Sequence, residues 1–445
     1  MVFFYGGSWQ YGSDSFPVYN GQNLLHRSQK DVIVVTLNYR LGPLGFLGSR
    51  EFASLSSDGS TGNAGLQDQR MALGWVQRNI GNFGGDPNNV LIFGESAGAG
   101  SVSAHLLLNK SKGLFHKALM ESGPVAAWTA KPMFDAQAQS QQVVAAVQCT
   151  DSNSSAQALL SCMQAASVQD LLKAPAGDDL LTWSPVVDGV ELTAMPQTLA
   201  NTHGFASTVP VLFGTNRNEG TEFVSGLDQD GTDEDYLQWI LHTFGEDTNE
   251  TLAKLIYDTY PSASYKSPWW AASFVITDSI MECPARRTAK WLLKHTSDVF
   301  LYYFTREIEA VKLFKPTLGV FHASELIFVW DVISYPEDGI NIPLPLTKAE
   351  KELQQVFVDY WVNFAHYGNP NGPMDSSKDS QIPSLSQTGV KIPGNATFHW
   401  PAYTLKSEEN IQLDVNLSIN THLNTDLCDF WDTTWWGFYE DIEKM

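Results

Sequence analysis

The sequence predicts an α/β fold with a mostly parallel central sheet and helices on both faces, because apolar runs of strand length alternate with helical patterns along most of the chain. The runs are almost free of polar residues, as strands buried on both faces must be. Val2-Phe3-Phe4-Tyr5 opens the chain and stops at Gly6-Gly7, a strand entering a tight loop. Residues 32–37, 90–93, 118–120, 209–213 and 299–304 are the later strands. Between them, residues 66–80 carry apolar side chains at helical spacing and end before Gly81, and residues 351–364 do the same before Gly368. The acidic stretch 228–235 reads as a solvated loop or helix start, since it lacks the ligand pattern of a calcium loop.

Composition narrows the function. With 445 residues, 43% of them hydrophobic and 17% charged, the chain can bury a large core, which excludes disorder, collagen and small disulfide scaffolds. The length allows several domains or one large α/β unit. Forty-nine acidic residues against 27 Lys and Arg leave a formal net charge of −22, which repels phosphate backbones and anionic membranes and argues against a nucleic-acid partner. The same charge would suit a negative gorge that draws cationic substrates. No repeat, low-complexity tract or long linker interrupts the chain, no run reaches the ~18 apolar residues of a membrane span, and no secretory leader precedes Val2.

The chemistry is concentrated at Gly94-Glu95-Ser96-Ala97-Gly98, which follows the strand at 90–93 and precedes a helix of small residues. A G-x-S-x-G sequence in a strand-turn-helix setting is a nucleophile elbow: the serine occupies a strained turn, and glycines two before and two after let the backbone pass. A serine hydroxyl needs a base, usually His, oriented by a carboxylate, and in this setting the order is Ser, acid, His. That order removes His26 and disfavours His105, His116 and His203. His366 at a helix end and His399 beside Trp400-Pro401 read as surface or packing residues. His322, in the loop after the last predicted strand, is the expected base. Glu219, in the loop after the strand at 209–213, is the expected acid. Asp188 is its competitor, although its Asp-Gly pair reads as a turn. For the oxyanion, Ala97 offers the amide after the nucleophile, and the opening Gly6-Gly7-Ser8 loop offers those of Gly7 and Ser8.

Four cysteines allow three pairings. Cys149 and Cys162 flank a short polar segment, so a local bridge is the economical choice and leaves Cys283 for Cys428; four buried thiols are the alternative. Sequons at Asn109, Asn153, Asn249, Asn395 and Asn416 lean toward secretion and glycosylation.

These residues also resemble the type-B carboxylesterase and cholinesterase group of the α/β-hydrolases. The resemblance runs through Gly62-Asn63-Ala64-Gly65, Phe83-Gly84-Gly85-Asp86-Pro87, Gly94-Glu95-Ser96-Ala97-Gly98-Ala99-Gly100-Ser101, Asn218-Glu219-Gly220, Asp359-Tyr360-Trp361, Trp400-Pro401 and Cys428-Asp429-Phe430-Trp431. It implies a serine esterase acting through an acyl-enzyme, with Ser96 as nucleophile, Glu219 as acid, His322 as base and disulfides Cys149–Cys162 and Cys283–Cys428. It implies no metal and no organic cofactor, a small-molecule ester as substrate, and a secreted or ER-lumen protein.

The resemblance also marks Trp9, Glu95, Trp128, Trp183 and Phe223 as candidates for the substrate pocket; for Glu95 the alternative is an exposed turn residue, and for Trp128 and Trp183 it is core packing. The chain departs from the group in three places. Ser8 stands where a third small residue is usual, Glu222 where cholinesterases carry an aromatic facing choline, and the N-terminal block with the first strands is missing. The expectation is therefore a single α/β-hydrolase domain over residues 1–445, incomplete at its N-terminus. A catalytically idle adhesion protein of neuroligin type and an inactive fragment are the competing readings.

Overall fold

The computed structural model describes residues 1–28, 32–149, 155–174, 182–245, 250–337, 340–373, 389–391 and 397–434. They form two compact units, one made of Met1–Tyr19, Asp31–Val211 and Lys294–Thr296, the other of Asn20–Lys30, Leu212–Leu293 and Ser297–Met445. Each contains mostly parallel strands, as the alternation of apolar runs and helices predicts.

In the first unit the strands are β1 (Val2–Phe4), β2 (Val35–Thr36), β3 (Leu91–Glu95) and β4 (Lys117–Glu121), in the order β2-β1-β3-β4. The pairings are parallel, with Phe3 opposite Phe93, Phe4 opposite Gly94 and Glu95 opposite Glu121. β1, β3 and β4 are buried along their whole length, which is why no polar alternation marks them in the sequence. Helix α1 (Ala64–Asn79) buries Leu66, Gln69, Leu73 and Val76, a stripe at spacings of three and four. Helix α2 (Ala97–Leu107) is buried on every face, and its Gly, Ala and Ser content lets it lie close to β3 and β4.

In the second unit the strands are β5 (Val211–Asn216), β6 (Val299–Phe304), β7 (Asn410–Leu413) and β8 (Ser418–Asn420), in that order. β7 is parallel to β6 and antiparallel to β8. Helix α3 (Pro268–Ile276) leads through a π-helical turn at Thr277–Glu282 into α4 (Cys283–Leu292). Helix α5 (Lys348–Tyr367) starts at a capping box, Thr347 with Glu350, and stops at Gly368, whose φ of 67° suits glycine. A buried aromatic cluster that includes Tyr236, Trp239, Tyr260, Trp269, Trp270 and Trp431 packs around α6 (Thr425–Thr434) and α3.

Every strand expected from the sequence is present, although the one at 32–37 is reduced to Val35–Thr36. The acidic stretch is a loop that enters a helix at Asp233. β7 and β8 escape a reading by apolar runs because Asn410, Gln412, Ser418 and Asn420 interrupt them. Among the described residues, no helix is long and apolar enough to cross a membrane. Asn109 and Asn416 are exposed, while the sequons at Asn153, Asn249 and Asn395 lie outside the described residues.

Both expected disulfides are formed. Cys149–Cys162 closes a 13-residue separation and Cys283–Cys428 one of 145, tying α4 to α6. If loop-closure entropy dominates, the short bridge contributes about 3 kcal/mol and the long one about 5 kcal/mol. The C283A/C428A protein should therefore melt at a lower temperature than C149A/C162A; calorimetry of the two double variants measures the difference.

Candidate active site

Ser96 stands between β3 and α2 with φ 55° and ψ −125°, a conformation that is costly for a residue with a side chain. The neighbouring backbone holds it there. Ser96 N–H donates to Glu121 O at 2.9 Å, and Ser96 O accepts from Gly100 N–H at 2.8 Å. The flanking glycines are required by contact. A Cβ on Gly98 would lie 2.0 Å from Phe4 O, and one on Gly94 would lie 2.6 Å from both Phe4 O and Gly98 C. The elbow is thus jammed against the end of β1, and Ser96 itself is half-buried.

The loop that follows β1 turns beside the elbow. A Cβ on Gly6 would sit 2.8 Å from Glu95 O and 2.9 Å from Ser96 Cβ. Gly7, Ser8 and Trp9 then all take positive φ, at 103°, 54° and 54°. For Ser8 and Trp9 this costs of order 1 kcal/mol each. Trp9 bears that strain because its fully buried indole donates from Nε1 to Ser101 Oγ at 3.0 Å. Ser101 is on α2, so the helix that begins behind Ser96 also secures the loop bearing the Gly7 and Ser8 amides. Ala97, the other expected oxyanion donor, opens α2 and is fully buried.

Glu219 and His322 meet in the second unit. His322 Nδ1 is 2.6 Å from Glu219 Oε2, with Glu219 fully buried and His322 7% exposed. The other carboxylate oxygen, Oε1, accepts from Asn216 N–H at 2.7 Å. The two loops are zipped together: Asn218 N–H donates to Val320 O at 2.9 Å, and Val320 N–H donates to Asn218 Oδ1 at 3.0 Å. Asn216 Nδ2 donates to Phe321 O at 2.9 Å and also to Glu325. Burial, reinforced by the charge of Glu219, pushes the Glu325 carboxyl up to about 7. An imidazole held at Nδ1 by a buried carboxylate has its tautomer set.

The chain matches the Carboxylesterase family over residues 1–431. It is 34% identical to the Cholinesterase of Mus musculus over 97% of its own length and 68% of that protein's. It is 30% identical to the Acetylcholinesterase of Electrophorus electricus, covering 97% of this chain and 71% of the relative. Its identity to the Para-nitrobenzyl esterase of Bacillus subtilis (strain 168) is 33%, over 94% and 76% of the two lengths. The chain belongs to the carboxylesterase family. As a member it is a carboxylic ester hydrolase acting on small-molecule esters.

The other expected site residues of this carboxylesterase fall in several settings. Glu95 ends β3 at 3% exposure, so the exposed-turn alternative is excluded. Trp128 is half-buried, with its ring 5.7 Å from that of Trp9. Trp183 is 3% exposed, with Lys131 Nζ 5.8 Å from its ring centroid. Phe223 meets the His322 ring edge-on at 4.9 Å, while Glu222 beside it is exposed. Asp188, the competing acid, is engaged in its own turn: Oδ1 accepts from the amides of Val190, Glu191 and Leu192, and Oδ2 from Thr61 N–H. His105 is fully buried between Ser111 and Gln69, and burial lowers its pKa to about 3.

Sequence reasoning missed Asn216, Asn218 and Ser101. Asn218 directly precedes Glu219, but no spacing rule marks an Asn as the clasp of two loops. The elbow predicts a contrast between two glycines. G98A should lose covalent labelling by a fluorophosphonate and at least ~100-fold of ester turnover. G81A, whose Cβ would meet nothing within 4 Å, should match the wild type in both measurements.

Proposed function

We propose that the carboxylesterase cleaves its esters through an acyl-enzyme formed on Ser96, with His322 as general base and then general acid, and Glu219 as the carboxylate that orients it. The observation that carries this reading is the buried 2.6 Å contact of Glu219 with His322 Nδ1, together with the strained elbow conformation of Ser96. In the first half-reaction, Ser96 Oγ adds to the ester carbonyl as its proton passes to His322 Nε2. The amides of Gly7, Ser8 and Ala97 stabilise the oxyanion, and the imidazolium returns the proton to the departing alcohol. Water then repeats the sequence on the acyl-enzyme and frees the acid and Ser96. No step calls for a metal or an organic cofactor.

The two compact units are read as one α/β-hydrolase domain, in keeping with a family match that runs through both. Extracellular or ER-lumen residence fits the two disulfides, and Asn109 and Asn416 are accessible for glycosylation. Trp9, Trp128, Trp183 and Phe223 are the aromatic candidates for the acyl and alcohol pockets. Glu222 in place of a ring can attract a cation but offers no π face for it.

Hydrolysis of p-nitrophenyl acetate and butyrate tests the triad. S96A should lose ~10⁴-fold or more in kcat and all fluorophosphonate labelling, and E219Q should lose ~10³–10⁴-fold with KM little changed. Turnover by folded S96A at the wild-type rate would rule the acyl-enzyme out.

A further inference from the structure

The π-helical turn at Thr277–Glu282 grips the proposed acid from both sides. At its start, Thr277 Oγ1 accepts from Gly220 N–H at 2.9 Å, directly after Glu219. At its end, Glu282 accepts from Thr215 Oγ1, directly before Asn216, whose amide holds Glu219 Oε1. Thr215 and Asn216 are the last residues of β5, so successive side chains point to opposite faces. Thr215 reaches Glu282 on one face, and Asn216 reaches Phe321 and Glu325 on the other. A π turn widens the helix by one residue, and such turns are frequent at functional sites. Here it places two acidic residues inward: Asp278, 1% exposed, accepts from Tyr260 Oη at 2.8 Å, and Glu282 is 6% exposed.

We infer that Glu282 is a positioning residue for Glu219, acting through Thr215 on the end of β5. The inference rests on the triad reading. The groups around Glu282 explain its charge state. Asp278 is on the same turn, Glu219 lies beyond β5, Tyr303 is on β6 beside Arg217, and Tyr403 approaches with the Arg286–Glu408 pair behind it. Burial, with the charges of Asp278 and Glu219 added, pushes Glu282 up to about 8, and burial pushes Asp278 up to about 7. A neutral Glu282 keeps the end of β5 hydrogen-bonded without placing a second negative charge behind the carboxylate that His322 needs. An ionised one accepts more strongly from Thr215 but repels Glu219. Because both carboxyls are raised above their unfolded values, the folded state holds their protons longer. The stability that these two groups contribute is then full at low pH and is lost as pH rises from about 4 to about 8.

The test is the pH profile of p-nitrophenyl butyrate hydrolysis by E282L, E282Q and T215V, with active sites counted by fluorophosphonate so that misfolded protein does not enter kcat. E282L is expected to lose about tenfold in kcat with KM within twofold, because the carboxylate is displaced while the pocket is intact. T215V removes the same hydrogen bond without touching the carboxyl and should lose a similar factor, so it carries the test if E282L does not fold. E282Q keeps a hydrogen-bonding partner for Thr215 but cannot ionise. It should recover kcat to within about threefold of the wild type across the profile. Wild-type kcat in both E282L and T215V, or a loss in E282Q as large as that in E282L, would overturn the proposal. S96A is assayed alongside: hydrolysis that survives it sinks the triad reading itself, whatever the Glu282 variants do.

Discussion

A close backbone approach in the first unit governs the geometry of the nucleophile. Gly98, the second residue of α2, lies against Phe4 O at the end of β1, so tightly that any side chain would collide. This contact holds the start of α2 against the sheet, and only Ser96 stands between β3 and α2 to make the turn. It does so with its positive φ. The same contact brings the end of β1 to the elbow, so Gly6 must also lack a side chain. Its successors Gly7 and Ser8 continue the turn with positive φ. Strain at Ser96, Ser8 and Trp9 is concentrated at one place, where the indole hydrogen bond to Ser101 and the buried packing of α2 offset it.

The second unit solves a different problem, the placement of several carboxyls out of water. A buried carboxylate is tolerated when it is hydrogen-bonded and when its neighbours do not share its charge. Glu219 has both an amide donor and the imidazole. Glu325, Glu282 and Asp278 are pushed toward the neutral form by burial. The arrangement leaves Glu219 as the carboxyl that meets His322. The cost of keeping polar groups inside is offset by the aromatic cluster around Trp431, which is itself tied in by Trp431 Nε1 donating to Tyr260 Oη at 2.7 Å.

Much of the fold was legible because buried parallel strands leave an unmistakable mark. Residues 90–93 are wholly apolar and residues 299–304 carry only two tyrosine hydroxyls as polar groups, and the helices read at 66–80 and 351–364 obey a stripe pattern that ends near glycine. The legible part of the site was equally mechanical: the glycines around Ser96 have to be glycines, and the order of serine, acid and histidine leaves few candidates. Asp188 and Glu219 could not be separated by spacing with the same force. Their surroundings separate them, since Asp188 is consumed by three amides of its own turn while Glu219 faces an imidazole. Glu95 likewise looks like a turn residue in one dimension and is a buried strand end in three.

The sequence by itself determined the α/β class, the strand-turn-helix around Ser96 and His322 as the expected base, and it narrowed the acid to Glu219 or Asp188 and the cysteines to three pairings. These depend on side-chain periodicity, on backbone sterics or on the order of residues along the chain, all of which are local or one-dimensional. Only the tertiary structure decided which groups stand behind them: Asn216 and Asn218 clasping two loops some hundred residues apart, Ser101 holding Trp9, and Glu282 reaching Thr215 from a π turn. Hydrogen bonds across such separations depend on where each element packs, and nothing in the spacing of an Asn, Ser or Glu announces its partner.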